Sequence, residues 1–247
     1  MKYVPLLVLA ALCLASSMLI AQSAAGLPTP PADAIVLSQL EQMSGWGSCN
    51  SPNCAGGSGN GTYWMAQFQS RPSLSGASTE LYNSGVWADA LWWLKLGAYD
   101  NVTNFLWDFY VQVDSNAGSA AQALEYDSFQ FLAGYNYMIG SQCDIAAGVW
   151  DVWDELHGLW IHTAVPCQGF SPGTWHHIQW YVTTNHAIHT YHYGILVVDG
   201  IPHIINQTYS AKNVGWDHNI GVQYQLDVNA TGQGYREWFD EAKLTVW

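Results

Sequence analysis

The sequence predicts an all-β chain folded as a two-sheet antiparallel β-sandwich, on three observations. The stretch "NFLWDFYVQVD", Asn104 to Asp114, places Phe105, Trp107, Phe109, Val111 and Val113 on one face and Leu106, Asp108, Tyr110 and Gln112 on the other, the period-two pattern of a half-buried strand. Comparable short runs recur at Tyr135–Cys143, Val149–Asp154, Trp175–Thr183, Tyr191–Val198, Ile220–Val228 and Glu237–Trp247, separated by Gly, Pro, Asn or Ser. No long helical periodicity competes with them, and many short strands without helices bury their apolar faces best as two packed sheets.

The elements follow in order. Lys2 and the apolar run "VPLLVLAALCLASSMLIA", closed by small residues, have the order of a secretory signal peptide over residues 1–25, with cleavage after Ser23 or Ala25. Residues 26–60 read as a linker, "GLPTPPADA", then "IVLSQLEQM" as one or two helical turns, then a turn-rich segment, "SGWGSCNSPNCAGGSGNG". Residues 61–247 read as a single sandwich domain. No later segment is long and apolar enough to span a bilayer, so the mature chain is expected to be secreted, with no membrane partner.

Four cysteines remain after the leader: Cys49, Cys54, Cys143 and Cys167. An even number in an oxidising compartment favours two disulfides over a zinc site, whose ligand spacing these positions fit poorly. Of the three possible connectivities, Cys49 with Cys54 closes a tight loop. Cys143 with Cys167 then closes a loop of about 25 residues, worth ~3 kcal/mol by chain entropy.

The 247 residues carry 6 basic and 19 acidic side chains, a formal charge of −13. Loss of Lys2 with the leader makes this −14, which argues against nucleic acid or anionic membrane as partner. Only 10% of residues are charged, while 14 are Trp and 14 are Tyr. Few ions and many amphipathic rings suit an exported sheet protein that touches a neutral polymer such as a poly- or oligosaccharide.

The segments "SPGTWHHIQWYV" (Ser171–Val182), "YHYGILVVDGIPHIIN" (Tyr191–Asn206) and "WFDEAKLTVW" (from Trp238) resemble the laminin-G-like branch of the concanavalin A-like superfamily of lectins and glucanases, in secreted bacterial forms. That resemblance implies a jelly-roll sandwich whose concave face meets glycans. It also implies a structural calcium ion near the closing strand, with Asp240 in the position of a ligand. Independently of it, Asp199-Gly200 between two apolar runs is a strong two-residue hairpin sequence.

The chemistry centres on "AQALEYDSFQF", Ala121 to Phe131. Retaining glycosidases hold two carboxyl groups ~5 Å apart. The laminarinase, lichenase and agarase family on this fold uses E-x-D-x-E, or E-x-D-x-x-E with a bulge, whereas this chain reads E-x-D-x-x-Q. By that resemblance Glu125 matches the nucleophile and Asp127 its assisting carboxylate. Gln130 stands where the proton donor belongs, and it shares a face with Glu125 only if a bulge intervenes.

A glycan-binding groove is therefore expected to draw on Glu125, Asp127 and Gln130, on Asp108, Tyr110 and Gln112, and on Gln223, Gln225 and Asp227. The function expected is carbohydrate binding. A glycoside hydrolase or polysaccharide lyase using Glu125 and Asp127, and an extracellular adhesion or structural protein, are the alternatives. His176 and His177 point to opposite faces of a strand, and His186, His189 and His192 surround an expected loop with spacing too loose to define a metal centre.

Overall fold

The computed structural model describes residues 26–247 other than Asp217. The expected signal peptide lies outside the described residues. The strands before the central one are β1 (Ile35–Ser38), β2 (Gly47–Asn50), β3 (Thr62–Gln69), β4 (Ser78–Ser84), β5 (Asp89–Gly97) and β6 (Asn104–Val113). The middle of the chain forms β7 (Ala121–Leu132), β8 (Gly134–Ile139), β9 (Ser141–Asp144), β10 (Val149–Asp154) and β11 (Leu159–Pro166). The remainder forms β12 (His176–Asn185), β13 (Thr190–Val198), β14 (Ile201–Ser210), β15 (Lys212–Trp216), β16 (Asn219–Val228) and β17 (Tyr235–Val246).

These strands make two antiparallel sheets packed face to face, the all-β jelly-roll sandwich that the sequence predicts. One sheet has eight strands in the order β14-β13-β12-β6-β17-β4-β3, with β1 added to β17. The other has nine, in the order β11-β10-β9-β7-β16-β5-β2, with β8 on β7 and β15 on β8. No helix among the described residues is long and apolar enough to cross a membrane.

Alternation delivers the core. Phe105, Trp107, Phe109, Val111 and Val113 are all buried between the sheets. Aromatic rings span the gap: Tyr224 of the nine-stranded sheet stacks on Phe239 of the other at 4.2 Å, and Phe109 meets Tyr126 at 5.0 Å. Each such pair adds about 0.5–1.5 kcal/mol beyond its buried area. The Asp199-Gly200 hairpin forms between β13 and β14 with both residues at positive φ, 49° and 79°, as a primed two-residue turn requires.

The N-terminal segment departs from its expected helical turns. Ile35–Ser38 is a strand on β17, and only Leu40–Gln42 forms a single 3₁₀ turn. Four residues beside the open flank of β17 gain more from ladder hydrogen bonds than from a short helix. Gly47–Asn50 then joins β5, so this segment is woven into both sheets. Both expected disulfides form, with Cα–Cα separations of 6.1 Å for Cys49–Cys54 and 5.5 Å for Cys143–Cys167.

Candidate functional site

The outer face of the nine-stranded sheet carries an open groove made of two adjoining clefts of about 460 and 470 Å³ that share Met138, Trp216 and Gln223. Its floor is the β7–β16 ladder. Register places Gln225 opposite Glu125 and Gln223 opposite Asp127, so each carboxyl group meets an amide across the strands. Gln225 Nε2 donates to Glu125 Oε2 at 2.7 Å, and Gln223 Nε2 donates to Asp127 Oδ2. Asp127 also sits where β7 exchanges β9 for β8 as its neighbour. There the Ser141 amide, freed at the junction, donates to Asp127 Oδ1 at 2.9 Å.

These carboxyl groups are only 7% and 0% exposed, and burial dominates their ionisation. Desolvation, helped by the charge of Asp127, raises the Glu125 pKa well above its ordinary value. Desolvation raises Asp127 to about 6, although hydrogen bonds from Glu125, Ser141 and Gln223 pull the other way. Further along the same face Asp227 pairs in register with Asp89. Burial and the neighbouring Asp89 push Asp227 well up, while burial carries Asp89 to about 7. At neutral pH this floor therefore offers hydrogen-bond donors as well as acceptors.

Aromatic side chains wall the groove. Trp153 and Trp160 of the β10–β11 hairpin pack edge to face at 5.0 Å on one side. Phe129, Phe131 and Trp93 line the other cleft, with Trp216 between the two. Gly221 permits this arrangement, because a Cβ there would collide with the Phe129 ring and the Leu94 carbonyl. Glu155 also faces the groove, fixed by Trp153 Nε1 at 2.7 Å and Asn136 Nδ2 at 2.8 Å.

The structure thus gathers Glu125, Asp127, Gln223, Gln225 and Asp227 on one face, and it places Gln130, Asp108, Tyr110 and Gln112 elsewhere. No bulge interrupts β7 between Glu125 and Gln130, so Gln130 turns inward. Its amide donates to the Tyr99 and Val102 carbonyls at 3.3 and 3.2 Å, and its oxygen lies 2.9 Å from His186 Nε2. Asp108, Tyr110 and Gln112 belong to β6 of the eight-stranded sheet and face away from this groove. Both strands alternate, but alternation does not say which sheet a strand joins. Asp108 holds His177, Gln179 and Lys243 at 2.8, 2.8 and 3.2 Å. Burial opposes its ionisation, but those partners win and lower its pKa.

Asp240, the position that the resemblance gives to a calcium ligand, is held by hydrogen bonds. Its two oxygens accept from Ser73 Oγ, Ser75 Oγ and the amides of Leu74, Ser75 and Glu241, all within 3.1 Å. These donors lower its pKa against the opposing effect of burial. The histidines have separate partners: His186 meets Gln130, His189 stacks on Tyr135 at 3.7 Å, and His192 meets Thr208. The groove residues that sequence reasoning missed are Trp93, Trp153, Glu155, Trp160 and Trp216. In "VWDVWDELHGLW" the alternation of Trp150 and Val152 against Asp151 and Trp153 was the available clue.

No protein-family model matches the chain, and no curated protein is similar to it in sequence. Among solved structures it is similar to a carbohydrate-binding module of the β-sandwich superfamily (7% identity, TM-score 0.43), covering 82% of this chain and 57% of the other. It is also similar to peanut lectin (12% identity, TM-score 0.42; 83% and 99% covered) and to an endo-β-1,4-glucuronan lyase from the fungus Trichoderma reesei (9% identity, TM-score 0.46; 81% and 94% covered). At these TM-scores the likeness adds nothing to the fold assignment, which rests on the sheets themselves.

Proposed function

We propose that the groove on the nine-stranded sheet of this exported protein binds a poly- or oligosaccharide chain. One observation carries the reading: the exposed ring of Trp216 and the half-buried rings of Trp93, Trp153 and Trp160 flank a floor of hydrogen-bonded carboxyl and amide pairs. Sugar rings present apolar faces that stack on indole and hydroxyls that need both donors and acceptors. Trp216 is 61% exposed and lines both clefts, a position to stack on successive sugar units. The net charge of −13 on the chain disfavours polyanions such as nucleic acid.

Immobilised plant, algal and microbial polysaccharides test this. Retention of the purified protein by at least one of them, in a manner competed by its soluble oligosaccharides, supports the reading. Uniform failure across the panel contradicts it.

A second reading rests on Glu155, which puts a third carboxyl group into the cleft with Glu125 and Asp127. A protonated Glu125 and an opposing carboxylate are the parts of a hydrolase or lyase. It predicts new reducing ends or unsaturated products that vanish in Glu125→Gln, whereas pure binding predicts none in either protein.

A further inference from the structure

We propose that Asp144, Asp151 and His162 form a binding site for a divalent transition-metal ion, with zinc as its probe, on the strand hairpins beyond the groove. Three adjacent strands supply the donors. Gln142 of β9 stands opposite Asp151 of β10, and Asp151 stands opposite His162 of β11, while Asp144 lies two residues along β9 on the same face. One donor atom from each of the three lies within 4.8 Å of the others. Two carboxylate oxygens and an imidazole nitrogen are a set that zinc accepts, and three protein ligands leave a position for water.

The support around the donors is in place. Gln142 Nε2 donates to Asp151 Oδ2 at 2.9 Å, and the Ala147 amide donates to Asp144 Oδ1 at 2.9 Å. These bonds orient the carboxylates and leave oxygens on the side facing His162, whose Nδ1 lies 2.6 Å from Asp151 Oδ1. The Cys143–Cys167 disulfide adjoins Asp144 and ties β9 to the end of β11, so the frame is fixed before any ion arrives.

Charge and access agree with this assignment. Asp151 is fully buried, its ion pair among the described residues is with His162, and no Lys or Arg ion pair to Asp144 or Asp151 is found among them. Two carboxylates on one small patch carry charge that a divalent ion balances. The His162 side chain is 63% exposed, which gives the ion a path in. His157 beside Asp154 makes a similar contact at 2.7 Å but belongs to no such three-donor group. The imidazole nitrogen sets the preference, favouring zinc over the hard ions magnesium and calcium.

Chelator-stripped protein titrated with zinc against a chromogenic competitor tests the site. The expected result is one tight, saturable site per chain that millimolar magnesium or calcium does not empty. His162→Ala and Asp144→Asn should each weaken it about tenfold or more, and His157→Ala should leave it unchanged. Circular dichroism and thermal melts in chelator establish that each variant is folded. Absence of saturable binding overturns the proposal, as does binding that both folded variants retain at wild-type affinity.

Discussion

Glu125 and Gln130 stand on opposite faces of one strand that is regular between them, Glu125 towards the groove and Gln130 between the sheets. The E-x-D-x-x-Q reading frame therefore resembles a glucanase strand in text and not in space. Gln223, Gln225 and Glu155 line the groove beside Glu125, and Gln130 does not.

Restoring the glucanase pattern by Gln130→Glu is thus expected to damage the protein without activating it. The new carboxyl group would replace an amide that donates to two carbonyls. The loss leaves buried acceptors unpaired at a cost of about 2–3 kcal/mol or more. Urea unfolding of the variant should show that loss, and reducing-end assays should show no gained activity. A stable variant that cleaves polysaccharide would mean that residue 130 reaches the groove.

Stability should fall as pH rises from 5 to 8. Glu237 is buried between the sheets, its Oε2 bonded to the Tyr126 hydroxyl at 2.8 Å and its Oε1 unpaired. Burial lifts its pKa from 4.5 to about 8. In that window the folded chain keeps a proton that the unfolded chain releases, so stability drops by up to ~1.4 kcal/mol per pH unit. Asp127 and Asp89, raised to about 6 and about 7, act in the same direction. Denaturant melts at pH 5, 6.5 and 8 should show the decline, and Glu237→Gln should reduce its slope.

Much of this fold was legible because alternation is local. "NFLWDFYVQVD" declared which side chains face the core, and Asp199-Gly200 declared its hairpin. Strand order is not local, so Asp108 and Asp127 look alike in sequence yet lie on opposite outer faces of the molecule. The groove's aromatic walls come from a hairpin, an edge strand and two inner strands that only tertiary pairing brings together. The same limit hid Asp144, Asp151 and His162, whose common face depends on the register of three strands.

The Cys143–Cys167 bridge closes the loop that carries the β10–β11 hairpin, with a sequence separation of 24. Replacing both residues by Ala should cost ~3 kcal/mol and lower Tm by about 10 °C, measured by calorimetry. An unchanged Tm would place the hairpin's stability elsewhere.

The central claim is that glycan binds on the nine-stranded face. Isothermal titration with the best-retained polysaccharide's oligosaccharides should compare Trp216→Ala, in the groove, with Tyr110→Ala, which stacks on His177 at 4.2 Å on the opposite sheet. The account predicts about tenfold weaker binding for Trp216→Ala, a loss of ~1.4 kcal/mol, and wild-type affinity for Tyr110→Ala. Undiminished binding by Trp216→Ala with loss in Tyr110→Ala would move the site to the other face and contradict it.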